Sequence, residues 1–271
     1  MPRGEVMRHM LTGKNLSLLV TRQTRDQWDV LATQLIVGHK SMSAYDITSL
    51  VPLYLYPAEG EMQLGGGVRR PNLNPEFIKV FSEKLGLKFI EDGKGDLQQT
   101  FGPEDVFNYA YAVFHSPAYR SRYAEFLKID FPRLPVTADK TLFRSLVEKG
   151  AVLVSLHLME SPLLKNLITQ YPVKGEHLVE KVRYDEKTQR VSINKAQYFE
   201  GIPPQVWTFH VGGYQVCEKW LKDRQKAHRK LTIDDIDHYQ KIVVSLKETI
   251  GLMKEIDEVI DQHGGWPGAF Q

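Results

Sequence analysis

The longest regular pattern in the chain is an apolar stripe near its end. Ile236, Tyr239, Val243, Leu246, Ile250 and Met253 follow one another in alternating steps of three and four. Only an α-helix puts such a series on one face, so the spacing predicts a long amphipathic helix that needs a surface to pack on. Thr232 followed by Asp235 resembles a capping box at its start, with Asp in place of Glu, and Gly264-Gly265 marks its end. Tyr214–His228, behind Gly212-Gly213, predicts a preceding helix with Tyr214, Cys217, Trp220 and Leu221 on one side, so the C-terminus reads as a helical hairpin.

The first hundred residues carry a different period. Asn15–Arg22 and Trp28–Val37 are β-rich runs separated by the polar stretch Gln23–Gln27, which fits a hairpin. Leu50–Tyr56 contains Pro52, which suits a sheet edge or a bulge. Gly60–Asn74, with Gly65-Gly66-Gly67 and Arg69-Arg70-Pro71, reads as a long loop. Helices then follow. One is predicted over Pro75–Leu85, a second after Gly102-Pro103 to about His115, and a third opened by Ser116-Pro117 to about Lys128. Another is predicted with Thr137 as its cap and Leu142, Phe143, Leu146 and Val147 inward. Ala151–Leu158 and Gln205–Val211 read as strands, and Leu178–Tyr184 with Gln189–Asn194 as a hairpin around Asp185-Glu186-Lys187-Thr188. The expected fold class is α/β in the mixed α+β sense: a strand-rich N-terminal part, central helices, a mixed sheet and a C-terminal helical hairpin. The expected division is a mixed domain over 1–212 and a helical segment over 213–271.

Several function classes lack their residues. No GxxxxGK[ST], HExxH or GxSxG string occurs, and Cys217 is the only cysteine, which excludes a disulfide within the chain and a Cys-rich zinc site. No apolar run is long enough to cross a membrane, and the N-terminus has no apolar signal-peptide core. With the single cysteine, this leads us to expect a cytoplasmic setting. His157 and His210, each inside an apolar run, leave open a small-molecule α/β enzyme with a pocket near them, although a core histidine with a satisfied partner explains each as well.

The distribution of charge says more than the net charge of +2. Residues 214–230 hold a local excess of four positive charges, and residues 231–271 an excess of five negative ones. Two neighbouring helices with complementary solvated faces would explain this, and so would contacts of the basic segment with a nucleic-acid backbone. A second basic group, Arg120, Arg122, Lys128 and Arg133, follows the Ser116 helix start. A third, Arg22, Arg25, Lys40, Arg69 and Arg70, falls on strand ends and loops, where an arginine can reach a guanine edge in the major groove.

Longer strings carry a resemblance. Val6-Met7-Arg8-His9-Met10, Asn15–Gln23 (NLSLLVTRQ), Pro52–Pro57 (PLYLYP), Phe107–Leu134 and Val206–Arg224 occur in order over nearly the whole chain. Together they resemble the C-terminal specificity part of the large single-chain restriction-modification proteins called type ISP. The resemblance implies a target recognition domain that binds double-stranded DNA in its major groove. Upstream nuclease, helicase-like and adenine-N6 methyltransferase regions would do the chemistry, flipping the adenine and using S-adenosylmethionine. The methyltransferase motifs themselves are missing: the only tandem prolines, Pro203-Pro204 in Gly-Ile-Pro-Pro-Gln, lack the preceding Asn. The chain therefore reads as a fragment or a separate specificity subunit, with neither a catalytic centre nor a cofactor site of its own. Residue type and expected exposure nominate Arg22, Arg25, Lys40, Arg69 and Arg70 as loop-side readers, and Arg120, Arg122, Lys219 and Lys222 as backbone contacts.

Overall fold

The computed structural model describes residues 4–57 and 69–271. The Gly65-Gly66-Gly67 stretch lies outside the described residues. Two compact units are present: residues 1–158 with 252–271, and residues 159–251. The expected division at 212/213 falls inside the second of them.

The first unit begins with a helix that the sequence reading did not assign, α1 (Gly4–Leu11). A three-stranded sheet follows, made of β1 (Ser17–Thr21), β2 (Val30–Thr33) and β3 (Thr48–Pro52) in the order β2-β1-β3. Both partners run antiparallel to β1, with Ser17 opposite Thr33 and Pro52, and Thr21 opposite Thr48. The predicted hairpin is thus β1–β2, and Pro52 sits on an edge strand, where its missing N–H costs no ladder bond. Two short pairs follow: β4 (Tyr54–Leu55) antiparallel to β5 (Arg70–Pro71), and β6 (Lys88–Phe89) parallel to β7 (Thr100–Phe101). Between them lies α2 (Pro75–Leu85), capped by the Asn74 side chain on Glu76 N–H (2.8 Å) and closed by Gly86 at φ 56°.

The centre of this unit is α3 (Pro103–His115), buried on nearly every side. Gly102 precedes it, and the Asp105 carboxylate accepts from Gly102 N–H (2.8 Å) and Gly95 N–H (2.6 Å). Ser116 caps the next helix through Tyr119 N–H (3.0 Å), but that helix breaks at Tyr123 into α4 (Pro117–Arg122) and α5 (Ala124–Leu127). Then comes α6 (Lys140–His157), and here two expectations fail. Its cap is Asp139, which accepts from Thr141 and Leu142 N–H at 2.7 and 3.1 Å, while the buried Thr137 donates instead to the Ala269 carbonyl (2.7 Å). The expected strand Ala151–Leu158 is largely the second half of α6. Its short apolar, β-branched run imitates a buried strand, but Leu142, Phe143, Leu146, Val147, Gly150, Leu153 and Val154 continue one helical face. Gly150 is there for close packing. A Cβ on it would stand 1.9 Å from the Asn108 carbonyl oxygen of α3.

The second unit holds the antiparallel sheet β10-β9-β8, built from β8 (Arg183–Asp185), β9 (Arg190–Ser192) and β10 (Tyr198–Glu200). The first two form the predicted hairpin, shorter than expected. Gln205–Val211 is not one strand. Pro203-Pro204 start a helical turn, α7 (Pro204–Trp207), and only β11 (His210–Val211) remains extended, paired with β12 (Tyr214–Gln215) across Gly212-Gly213. The predicted helix therefore starts two residues late, as α8 (Val216–Lys226). It pairs with the start of α9 (Ile233–Gln262) as the expected hairpin, with the rings of Trp220 and Tyr239 centred 5.1 Å apart. The Thr232 capping box is present: Thr232 N–H donates to Asp235, and Asp235 N–H to the Thr232 hydroxyl. Residues of α9 up to Gly251 belong to this unit, and those from Leu252, with α10 (Gly265–Gly268), to the first. The expected mixed α+β class is what the structure shows. Among the described residues no helix is long and apolar enough to cross a membrane.

Candidate nucleic-acid interface

The strand order decides where the loop cations go. Because β2 and β3 both flank β1, they run parallel to each other, and residues 34–47 must return along the sheet. The connection therefore ends, at Ile47, beside the point where β1 gives way to the hairpin loop 22–29. The two loops are tied there by hydroxyl–carboxylate bonds. The Asp46 carboxylate accepts from the Thr24 hydroxyl (3.1 Å), Arg25 N–H (2.9 Å) and the Ser43 hydroxyl (3.2 Å), and Ser43 also donates to Asp26 (2.7 Å). Burial opposes the charge on Asp46, but the bonds from Arg25 N–H, Thr24 and Ser43 outweigh it and hold the carboxyl below its ordinary value. A third segment joins them. Thr24 N–H donates to the Lys128 carbonyl (3.1 Å), and Arg22 reaches Asp130 (3.4 Å) with its guanidinium 6.0 Å from the centre of the Phe131 ring.

The nine nominated residues separate on this frame. Arg22 and Arg25 are exposed and stand together at the Thr21 end of the sheet, and Lys40 is exposed on the 34–47 connection. Arg70 is exposed on β5, while its neighbour Arg69 is committed. The Arg69 guanidinium lies 3.7 Å from the centre of the Tyr54 ring, pairs with Asp92 (2.6 Å) and donates to the Lys14 carbonyl (3.1 Å). Arg122 is exposed on α4. Arg120 is also committed. It is half-buried, pairs with Asp29 (2.6 Å) and donates to the Phe114 carbonyl (2.7 Å). Lys219 and Lys222 belong to the second unit, on α8, with partners one turn away, Asp223 (2.6 Å) and Glu218 (2.8 Å). The charge complement read from the sequence is real there: Arg224 and Arg229 both converge on Asp235, at 3.3 and 3.2 Å.

The two histidines of the enzyme alternative fall in different units. His157 lies on α6 in the first unit and His210 is exposed in the second. His157 Nδ1 is 2.5 Å from the Tyr111 hydroxyl, which accepts from Ala32 N–H (3.1 Å), and the His115 ring is centred 5.3 Å away. Burial pushes the Tyr111 hydroxyl up, His157 down to about 4 and His115 well below its ordinary value. The network joins β2 to α3 and α6. A cleft of about 270 Å³ in the first unit is lined by Trp28, Arg120, Leu127, Lys128 and their neighbours, none of them a histidine. Among the described residues no group of three or more His, Cys, Asp or Glu gathers as a metal site.

Sequence reading missed the exposed apolar residues on the same loops. Tyr45, Ile47, Ile129 and Phe131 are 70%, 68%, 64% and 40% exposed. A sequence gives no signal for them, because an exposed isoleucine and a core isoleucine are spelled alike.

The fold is shared with parts of larger proteins solved with DNA or a DNA mimic. Over 90% of this chain it superposes on the ATP-dependent Type ISP restriction-modification enzyme LlaBIII bound to DNA, with a TM-score of 0.68 and 18% identity. A nuclease-deletion mutant of the Type ISP restriction-modification enzyme LlaGI, in complex with a DNA substrate mimic, gives 0.61 and 20%. The DrdV–DNA complex gives 0.67 and 22%, and both superpositions cover 90% of this chain. The chain spans 16%, 18% and 25% of those three chains. No curated protein matches it. Residues 1–255 match the Type ISP C-terminal specificity domain, and the chain belongs to that family.

Proposed function

We propose that this chain is the DNA target-recognition module of a Type ISP restriction-modification enzyme. It holds duplex DNA in register for an adenine-N6 methyltransferase region elsewhere in the assembly, which takes its methyl group from S-adenosylmethionine. The observation that carries this reading is the family match over residues 1–255, a family defined by specificity. The DNA-bound enzymes of the same fold support it. In this reading Arg22, Arg25, Lys40 and Arg70 are loop-side contacts to base edges and phosphates, and Arg122, Lys219 and Lys222 are phosphate contacts. Arg69 and Arg120 keep their structural partners. The nuclease and helicase-like regions are further parts of the same assembly, and the setting is cytoplasmic.

The test is a titration of labelled duplexes by the chain at several salt concentrations. Each phosphate neutralised contributes about −0.9 to the slope of log K against log salt, so several contacts give a steep fall. Absence of binding at low salt, or binding indifferent to salt, rejects the proposal.

A further inference from the structure

We infer that the apolar shelf at the Thr21 end of the first sheet, Tyr45 and Ile47 beside Ile129 and Phe131, reads the 5-methyl edge of a thymine in duplex DNA. The inference rests on the DNA-recognition reading above.

The shelf is a consequence of topology. Ile47 directly precedes Thr48, whose β-partner is Thr21, and Arg22 follows Thr21. Lys128 is bonded to Thr24, and Phe131 lies under the Arg22 guanidinium. Three loops thus bring four large, exposed apolar side chains to one end of one sheet. Leu35 is equally exposed but stands two residues past Thr33, at the opposite end of the sheet beside Ser17, and is not part of the shelf. Solvent-exposed apolar clusters mark contact surfaces.

The charges around the shelf select the partner. The carboxylates of Asp26 and Asp46 are turned onto Thr24, Ser43 and the Arg25 backbone. The side chain of Arg25 stays exposed, and Lys40 is exposed on the same connection as Tyr45 and Ile47. Asp130 pairs with Arg22. A rim whose acids are engaged in hydrogen bonds or an ion pair and whose cations are exposed suits a polyanion. Isoleucine has no hydrogen-bonding group, so within a DNA groove it can recognise only an apolar one. The major groove displays one such group, the thymine methyl. The recognised sequence accordingly contains an A·T pair read through its methyl.

The test uses the full 271-residue chain. Sequences bound from a randomised duplex pool define the preferred site, and each thymine in that site is replaced in turn by deoxyuridine. At one position or more, loss of the methyl weakens binding about fourfold, the worth of one buried methyl-sized group. Ile47→Ala or Tyr45→Ala weakens binding to the thymine duplex by a similar factor and abolishes the difference between thymine and uracil there. Tyr45→Phe, which keeps the ring, retains it. Both sites are largely exposed, so circular dichroism and melting of these variants match the parent. The inference is overturned by a preferred site that tolerates uracil everywhere or lacks thymine, by alanine variants that keep full methyl discrimination, or by variants whose DNA affinity is unchanged, which would give the shelf to a protein partner. In each of these cases salt-dependent duplex binding still upholds the DNA-recognition reading. Failure of the parent chain to bind any duplex overturns both.

Discussion

Arg120 Nη2 lies 2.6 Å from the Asp29 carboxylate, with the two side chains 12% and 3% exposed. The pair joins the last residue before β2 to helix α4, and Asp29 also accepts from Val30 N–H (2.8 Å). Hairpin loop and helix are thereby held in one geometry. Removing one member of a buried ion pair is far costlier than replacing both, because the remaining charge stays desolvated. Arg120→Ala is expected to destabilise the protein by roughly 3–5 kcal/mol, and Arg120→Met with Asp29→Leu by clearly less. Urea unfolding measures both. Unchanged stability in Arg120→Ala, with only DNA affinity lost, would return Arg120 to the contact residues.

Arg25 and Arg69 should part company in the same assays. Arg25→Ala removes an exposed side chain, so stability stays within about 0.5 kcal/mol while DNA affinity and its salt slope fall. Arg69→Ala loses a cation–π contact with Tyr54 and the Asp92 pair, and is expected to cost about 1–2 kcal/mol of stability. Equal behaviour of the two variants would contradict the assignment.

Gly150→Ala tests the approach of α3 and α6. An alanine inside a helix normally gains about 1 kcal/mol over glycine. Here the new Cβ would stand 1.9 Å from a backbone oxygen, so the helices must move apart. Overpacking outweighs propensity, and a net loss of about 2 kcal/mol or more is expected in thermal and urea melts. A stabilised variant would show that the helices do not meet there.

The buried histidines set a pH dependence. Burial holds His157 at about 4 against an ordinary 6.5, so its ring stays neutral in the fold while the unfolded chain protonates. Above 6.5 both states are neutral and His157 adds no slope; from 6.5 down to about 4 the unfolded state binds the extra proton and stability falls. His115 acts in the same direction. His157→Gln should flatten part of that slope. Unfolding midpoints of parent and variant measured across this window decide it, and parallel curves would contradict it.

Much of the secondary structure was legible because its signals are local. Asn74-Pro75 and Gly102-Pro103 place two helix starts, the stripe from Ile236 to Met253 gives α9, and the β1–β2 hairpin follows from period-two runs. The errors were also local. Val152 and Val154 look like strand residues, and only packing against α3 makes them helical. Thr137 and Asp139 are both plausible caps, and the Ala269 carbonyl takes Thr137 away.

The amino-acid order alone determined the class of fold, the missing catalytic motifs and the family strings, since each depends on neighbours within a few turns of chain. Tertiary structure decided which arginines are available. Arg22, Arg25, Arg69 and Arg120 are the same side chain in the sequence, but Asp29, 91 positions before Arg120, and Tyr54 beneath Arg69 engage two of them and shield them partly from water. A charge is removed from water only where a distant partner offsets its desolvation, and that partner is brought near by the fold.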